Sequence, residues 1–168
     1  MNKCVFDEAR LYRYVLVHDW RDALFPEPEK PVAWIGLNPS TADEASLDPT
    51  LRRIKAFSAG WGFNSFRMLN LFAFRATEPE DMKAARDPVG PENDAALIEH
   101  TEGCRYVVCA WGNDGAFSGR AAAVIGALWA AGRSLVALRI TGAGHPGHPL
   151  YLPAKLQPFP FPLSNVGA

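Results

Sequence analysis

Apolar residues come in short runs separated by polar, Gly-rich and Pro-rich segments, and the runs carry two different periods. Leu11–Val17 is aromatic and aliphatic with little helical spacing, and a segment with three prolines, 25–31, separates it from a second apolar run, Val32–Leu37. Both read as strands, the second a buried one. At Asp48-Pro49 the period changes. A carboxylate suited to capping precedes a proline at the first helical position, and Leu51, Ile54, Phe57 and Trp61 recur on one face until Gly60 and Gly62. That pattern predicts a helix of about three turns. Phe66–Phe72 is the next strand, followed by a loop rich in Arg, Thr, Glu and Pro. Gly90-Pro91 opens a second helix with Ala95, Leu97 and Ile98 as its apolar side. Tyr106–Trp111 is a strand that ends in Gly112-Asn113-Asp114-Gly115, an alanine-rich helix runs from about Ser118 to Ala131, and Leu135–Ile140 is a strand.

Strands that alternate with helices call for the α/β class, a mostly parallel sheet covered by helices on both faces. Such sheets bind ligands beyond the carboxyl ends of their strands. Here the strands run into polar segments at 38–43, 70–77, 112–115 and 141–151. The expected organisation is a single domain over residues 1–153 and a proline-rich tail over 154–168, in which Phe159 and Phe161 can pack back on the body.

Composition narrows the classes. With 168 residues, 48% of them hydrophobic and 21% charged, the chain has the length of one domain and can bury its own core. A net charge of -1 advertises no overall basic field for nucleic acid or an acidic membrane. The average conceals an asymmetry: no acidic residue follows Asp114, while Arg120, Arg133, Arg139 and Lys155 make that stretch electropositive. Cys4, Cys104 and Cys109 are too few for a disulfide framework and lack metal-site spacing, which points to a reducing cytoplasm and to no metal. No secretory h-region and no apolar run of membrane-spanning length is present.

Three segments carry candidate chemistry. In Gly36–Asp43, a buried strand turns at Pro39 into a stretch where Asn38, Ser40 and Thr41 offer short hydrogen-bonding side chains. Asn38 can orient a water through its amide oxygen, and Asp43 can act as general base; an Asx or serine turn uses the same residue types. In Asn70–Arg75, an amide at a strand end can read a base edge, Phe72 or Phe74 can stack, and Arg75 can hold an anion. Alternation would put Asn70, Phe72 and Phe74 on one face. In Gly142–Tyr151, His145 and His148 sit three apart in a loop with two prolines and three glycines, where imidazole can donate to a developing anion. The chain has no nucleophile elbow, phosphate loop or dinucleotide fingerprint, so esterase, kinase and dehydrogenase readings lack their parts.

Taken together, Leu37–Asp43, Asp48-Pro49-Thr50 with Arg52-Arg53, Asn70–Thr77, Asp87–Asp94, Ala110-Trp111-Gly112 and His145–Tyr151 closely resemble a largely bacterial and phage family of unknown function, over about residues 10–153. More distantly, the motif order is similar to the uracil-DNA glycosylase superfamily. That resemblance implies a three-layer α/β/α fold around a central parallel sheet of about four strands, here with an added N-terminal strand. Gly36-Leu37-Asn38-Pro39 resembles the first glycosylase motif, in which Asn positions the attacking water. Asn70 falls where a strand-end Asn reads uracil. His145-Pro146, or His148-Pro149-Leu150 in a shifted alignment, resembles the loop whose His stabilises the base anion. Ser40 stands where that superfamily usually has Gly after Asn-Pro, and the cysteines of its cluster-bearing members are absent. The closer family's motifs add Asp48, Arg52, Arg75, Asn93, Trp111 and Tyr151 as residues for a family-specific substrate, with Asp48 an alternative to Asp43 as the acidic participant.

The resulting expectation is a glycosylase-like protein that hydrolyses an N-glycosidic bond of a nucleobase, nucleoside or nucleotide without a cofactor. The alternative is a non-catalytic module on the same fold. The expected partner is a small nucleobase or nucleotide, or single-stranded nucleic acid, and not a membrane; no signal for an oligomeric state is present.

Overall fold

The computed structural model describes residues 2–25, 27–41 and 46–162. Its elements are β1 (Asn2–Phe6), β2 (Arg13–Asp19), β3 (Pro31–Gly36), α1 (Pro49–Gly60), β4 (Ser65–Asn70), α2 (Pro79–Ala84), α3 (Asn93–Thr101), β5 (Val107–Cys109), α4 (Arg120–Ala130), β6 (Leu135–Ala137) and β7 (Phe159–Pro160). Short 3-10 segments cover Asn113–Gly119 and Pro149–Tyr151. Among the described residues no helix is long and apolar enough to cross a membrane.

The fold is α/β with one mixed sheet of seven strands in the order β1-β2-β4-β3-β5-β6-β7. Strands β4, β3, β5 and β6 run parallel, whereas β1 and β2 join one edge and β7 the other in antiparallel sense. The sheet is therefore larger than the expected four strands plus one. β1 and β7 are the additions, both short edge strands whose identity depends on pairing, β1 with the next strand in sequence and β7 with β6, rather than on an apolar pattern of their own. The segment expected as a tail contributes β7 and places Phe161, 7% exposed, in the core. The loop after β4 also contains an unforeseen helix, α2, which starts at Pro79 and buries only Met82.

Alternation along β3 divides the core. Val32 and Trp34 pack with Phe66, Met68, Val108 and Val136 and with Leu51, Ile54 and Phe57 of α1. Ala33 and Ile35 pack with Leu69, Val107, Cys109 and Ala137, with Met82 of α2, Leu97 of α3, and Val124 and Leu128 of α4. Because both sheet faces are buried, the central strands read as continuous apolar runs. The ladders are shorter than those runs. Ala110 and Trp111, each 3% exposed, are buried beyond the end of β5, where Ala110 N still donates to Ile35 O at 2.9 Å.

Helix α1 begins as its sequence predicts. Asp48 Oδ1 accepts from Leu51 N at 2.7 Å and Pro49 occupies the first turn. Helix α3 meets expectation in part: Leu97 is buried, but its companions there are Asn93, Ala96 and Thr101, while Ala95 and Ile98 face outward. Helix α4 starts at Arg120, because Ser118 (φ 53°) and Gly119 (φ 66°) adopt left-handed conformations that end the preceding 3-10 segment.

The connections decide where a ligand can sit. From β3 the chain passes through α1 to β4 on one side, and from β5 it passes through α4 to β6 on the other. Adjacent β3 and β5 thus send their chains in opposite directions, which opens a crevice beyond their carboxyl ends.

Candidate functional site

A cavity of about 430 Å³ occupies that crevice. Of the residues selected from sequence, it brings together Asn38 and Ser40 after β3, Asp48 before α1, Asn70 at the end of β4, Trp111 after β5, and His148. Residues separated by more than a hundred positions meet because three parallel strands end side by side.

Asn38 is held through its own amide. Its Nδ2 donates to Ala76 O at 2.9 Å and to Pro39 O at 3.2 Å. The donor side of the amide is engaged with backbone, and Oδ1 is the acceptor left for a ligand or water.

Asn70 is 2% exposed, yet its Oδ1 has no hydrogen-bond partner. Native proteins rarely leave such a buried group unsatisfied without a reason. Gly36 makes room for it: a Cβ at that position would lie 2.6 Å from Met68 Cε and 3.0 Å from Asn70 Oδ1. Trp111 is similar in kind, 3% exposed with its Nε1 unpartnered, and its ring packs on Phe161 at 6.1 Å between centroids.

The strand end beneath Asn70 is clamped from behind. The β2 ladder to β4 stops at Leu16 opposite Met68, so the next carbonyls need other donors. Asn93, fully buried at the first turn of α3, donates Nδ2 to Asn70 O at 3.1 Å and to Leu71 O at 3.0 Å. Arg120 Nε adds a 2.7 Å bond to Leu71 O, and its guanidinium pairs with Asp94 at 2.7 Å. Asn93 therefore supports the pocket from outside it, and this inward amide is why the buried face of α3 is only in part the one its apolar residues predicted.

His148 faces the cavity from the last loop. Its Nδ1 accepts from Leu150 N at 3.2 Å, which places the proton of the neutral ring on Nε2. Solvent reaches the residue, but desolvation by the surrounding wall pulls its pKa below the ordinary histidine value against a raising field from Asp48.

The remaining selected residues lie elsewhere. His145 sits in a turn in which its N–H donates to Thr141 Oγ1 (3.2 Å) and its carbonyl accepts from Thr141 N (2.7 Å), and it does not line the cavity. Phe72 is fully buried and packs on Phe117 at 5.8 Å. The expected shared face of Asn70 and Phe72 fails because β4 ends at Asn70: Leu71 N and Phe72 N donate in succession to Gly36 O and Leu37 O, so alternation stops there. Phe74 is half-buried against the ring of Tyr12. Arg75 donates to Arg10 O at 3.1 Å and lies over the ring of Phe6. Arg52 donates to Leu47 O at 2.7 Å, Thr41 Oγ1 meets Thr77 Oγ1 at 2.9 Å, and Tyr151 is 88% exposed. Asp43 lies outside the described residues.

Sequence reasoning missed Arg13, Thr77, Asn113 and Asp114 on the cavity wall. Arg13 had one signal, a cation inside an otherwise apolar strand, and it is 5% exposed. Asp114 is held by Lys83 Nζ at 2.9 Å, which also reaches Glu80 at 2.9 Å. Among the described residues no group of three His, Cys, Asp or Glu is placed to hold a metal ion. Burial raises the pKa of the Cys109 thiol and keeps it protonated.

The family model described as "Protein of unknown function (DUF1643)" matches residues 13–150. No curated protein and no solved structure matches the chain.

Proposed function

This chain belongs to the DUF1643 family of unknown function, and on that premise we propose that its carboxyl-edge pocket binds a nucleobase, nucleoside or nucleotide and hydrolyses the N-glycosidic bond. The observation that carries this reading is the convergence of Asn38, Asn70 and His148 on one cavity, with the Asn70 amide oxygen buried and unpartnered. A parallel four-stranded centre, with α1 packed in one core cluster and α2, α3 and α4 in the other, supports a three-layer, glycosylase-like arrangement.

In this mechanism Asn70 reads a donor edge of the base through Oδ1, and Asn38 Oδ1 orients a water toward the anomeric carbon. The water oxygen bonds to that carbon as the carbon–nitrogen bond breaks, and the electron pair leaves on the base nitrogen. His148 Nε2–H donates to the departing base anion; its lowered pKa suits a neutral donor. Asp48, the sequence-selected carboxylate that lines the cavity, takes the water's proton. The base of a single-stranded nucleic acid offers the same edge to this pocket.

A second reading is a binding module without turnover. It is favoured by the capping bond of Asp48 Oδ1 to Leu51 N at 2.7 Å, which gives that carboxylate a structural task of its own.

The test is a thermal-shift screen of free bases, nucleosides, nucleotides and short single strands, followed by chromatographic assay of base release for each stabilising ligand. The reading expects a ligand whose stabilisation is lost in Asn70→Ala, and base release lost in Asn38→Ala and His148→Ala. Stabilisation without release selects the binding module. Silence across the set, or a hit unchanged in Asn70→Ala, removes both readings.

A further inference from the structure

A second cavity, also about 430 Å³, lies at the opposite end of the sheet, between the approach to β3, the α1–β4 turn, the approach to β5 and Gln157-Pro158. Gly62 and Gly103, just beyond the ends of α1 and α3, line it, and a Cβ at either position would meet nothing within 4 Å. Its volume falls in the range of small-molecule sites, about 300–1,000 Å³.

The cavity has an aromatic wall and a cationic rim. Phe63, 8% exposed, meets Tyr106 edge to face at 6.0 Å. Trp61 stacks on Trp34 at 5.6 Å and is anchored by its Nε1 donating to Leu156 O at 3.2 Å. These rings are already fixed, so binding against them orders little. Glu29, the lining carboxylate, is engaged: it accepts from Ser65 Oγ at 2.8 Å and faces Arg67 at 3.7 Å. Among the described residues Lys30 pairs with Glu27, at 3.5 Å between two well-exposed side chains, a weak pair. Arg105 lies over the Tyr106 ring at 5.3 Å, and among the described residues no carboxylate pairs with it. Its guanidinium fork is thus held beside the aromatic wall with its donors available.

We propose that this amino-edge cavity is a second ligand site, for a planar aromatic ring that bears one anionic group, with the ring against Tyr106 and Phe63 and the anion on Arg105 and Lys30. A carboxylate and a phosphate ester share the chemistry that Arg105 recognises. The site stands apart from the carboxyl-edge pocket and does not depend on what that pocket binds.

The experiment is two-dimensional NMR of the full chain titrated with benzoate, phenyl phosphate, neutral benzamide and acetate, following the Trp61 indole N–H and the backbone amides of residues 103–106. The expected result is saturable shifts with one or both aryl anions, the stronger of the two naming the anion. Benzamide, which lacks the charge, and acetate, which lacks the ring, should each bind at least about tenfold more weakly, the former by a charge-assisted hydrogen bond and the latter by the ring's apolar contact. Arg105→Ala, a change at an exposed residue, should abolish the shifts, while Asn70→Ala leaves them unchanged. No saturable shift with either aryl anion, equal binding of benzamide, or full retention in Arg105→Ala overturns the proposal.

Discussion

Two asparagines bracket β4, and their side chains could hardly be treated more differently. Asn64, just before the strand and 6% exposed, is fully engaged: its Oδ1 accepts from Lys30 N at 2.6 Å and its Nδ2 donates to Pro28 O at 3.0 Å. Asn70, at the other end and 2% exposed, leaves its amide oxygen unpartnered beside a cavity. The same side chain at the same depth ties a loop at one end of the strand and is held available at the other. Burial alone therefore says little about an asparagine's task; the accounting of its hydrogen bonds says much more.

The largest expected effect breaks this pair apart. Asn64→Ala strips partners from two backbone groups and should lower stability by about 2–4 kcal/mol. Asn70→Leu removes an unpartnered amide and should change stability by less than about 1 kcal/mol while it abolishes any ligand-induced rise in Tm. Denaturant unfolding of both variants decides the matter, and equal losses would erase the distinction.

A smaller effect belongs to the clamp behind Asn70. Asn93→Ala leaves Asn70 O without its donor while Arg120 still serves Leu71 O, which predicts a loss of about 1–2 kcal/mol. Hydrogen exchange should show faster opening of the Leu71 and Phe72 amides in this variant. Unchanged exchange there would mean that β3 alone holds the strand end.

The smallest effect is in pH. His18, His100 and His148 all have pKa values lowered chiefly by desolvation, so the folded state prefers them neutral. The unfolded chain then binds more protons as pH falls through the ordinary histidine value of 6.5. Their contribution is complete above that value and declines below it, until the folded pKa values are passed. His148→Gln should shallow the decline in a Tm-against-pH series between about pH 7 and 5; an identical slope would show that its ring is not desolvated.

The parts of the fold legible in sequence were those with a local physical signature. Asp48-Pro49 and the Leu51, Ile54, Phe57 spacing gave α1 because cap and apolar face lie within one segment. The central strands were legible because both faces are buried. β1 was not, since its five residues acquire their meaning only from pairing with β2. α3 was legible as a helix and in its buried Leu97, but not in the outward Ala95 and Ile98, because a rule that sends polar residues outward cannot foresee an asparagine that turns inward to serve the carbonyls of Asn70 and Leu71. At the site, Asn38 and Asn70 were legible from their positions after strands. The choice between His145 and His148 was not, because a three-residue spacing inside a turn does not say which ring faces in.

One edge of the sheet has a further consequence. Phe161 N donates inward to Leu135 O at 3.0 Å, and backbone groups alternate along a strand, so the amide positions that point outward from the β7 segment are 158, 160 and 162. All three are prolines. That outer edge can offer carbonyls but no N–H groups, and a second strand laid along it would find half of its hydrogen bonds missing. Alternating prolines thus make β7 a terminating strip that resists edge-to-edge self-association, while Phe161, between two of them, still turns inward to the core.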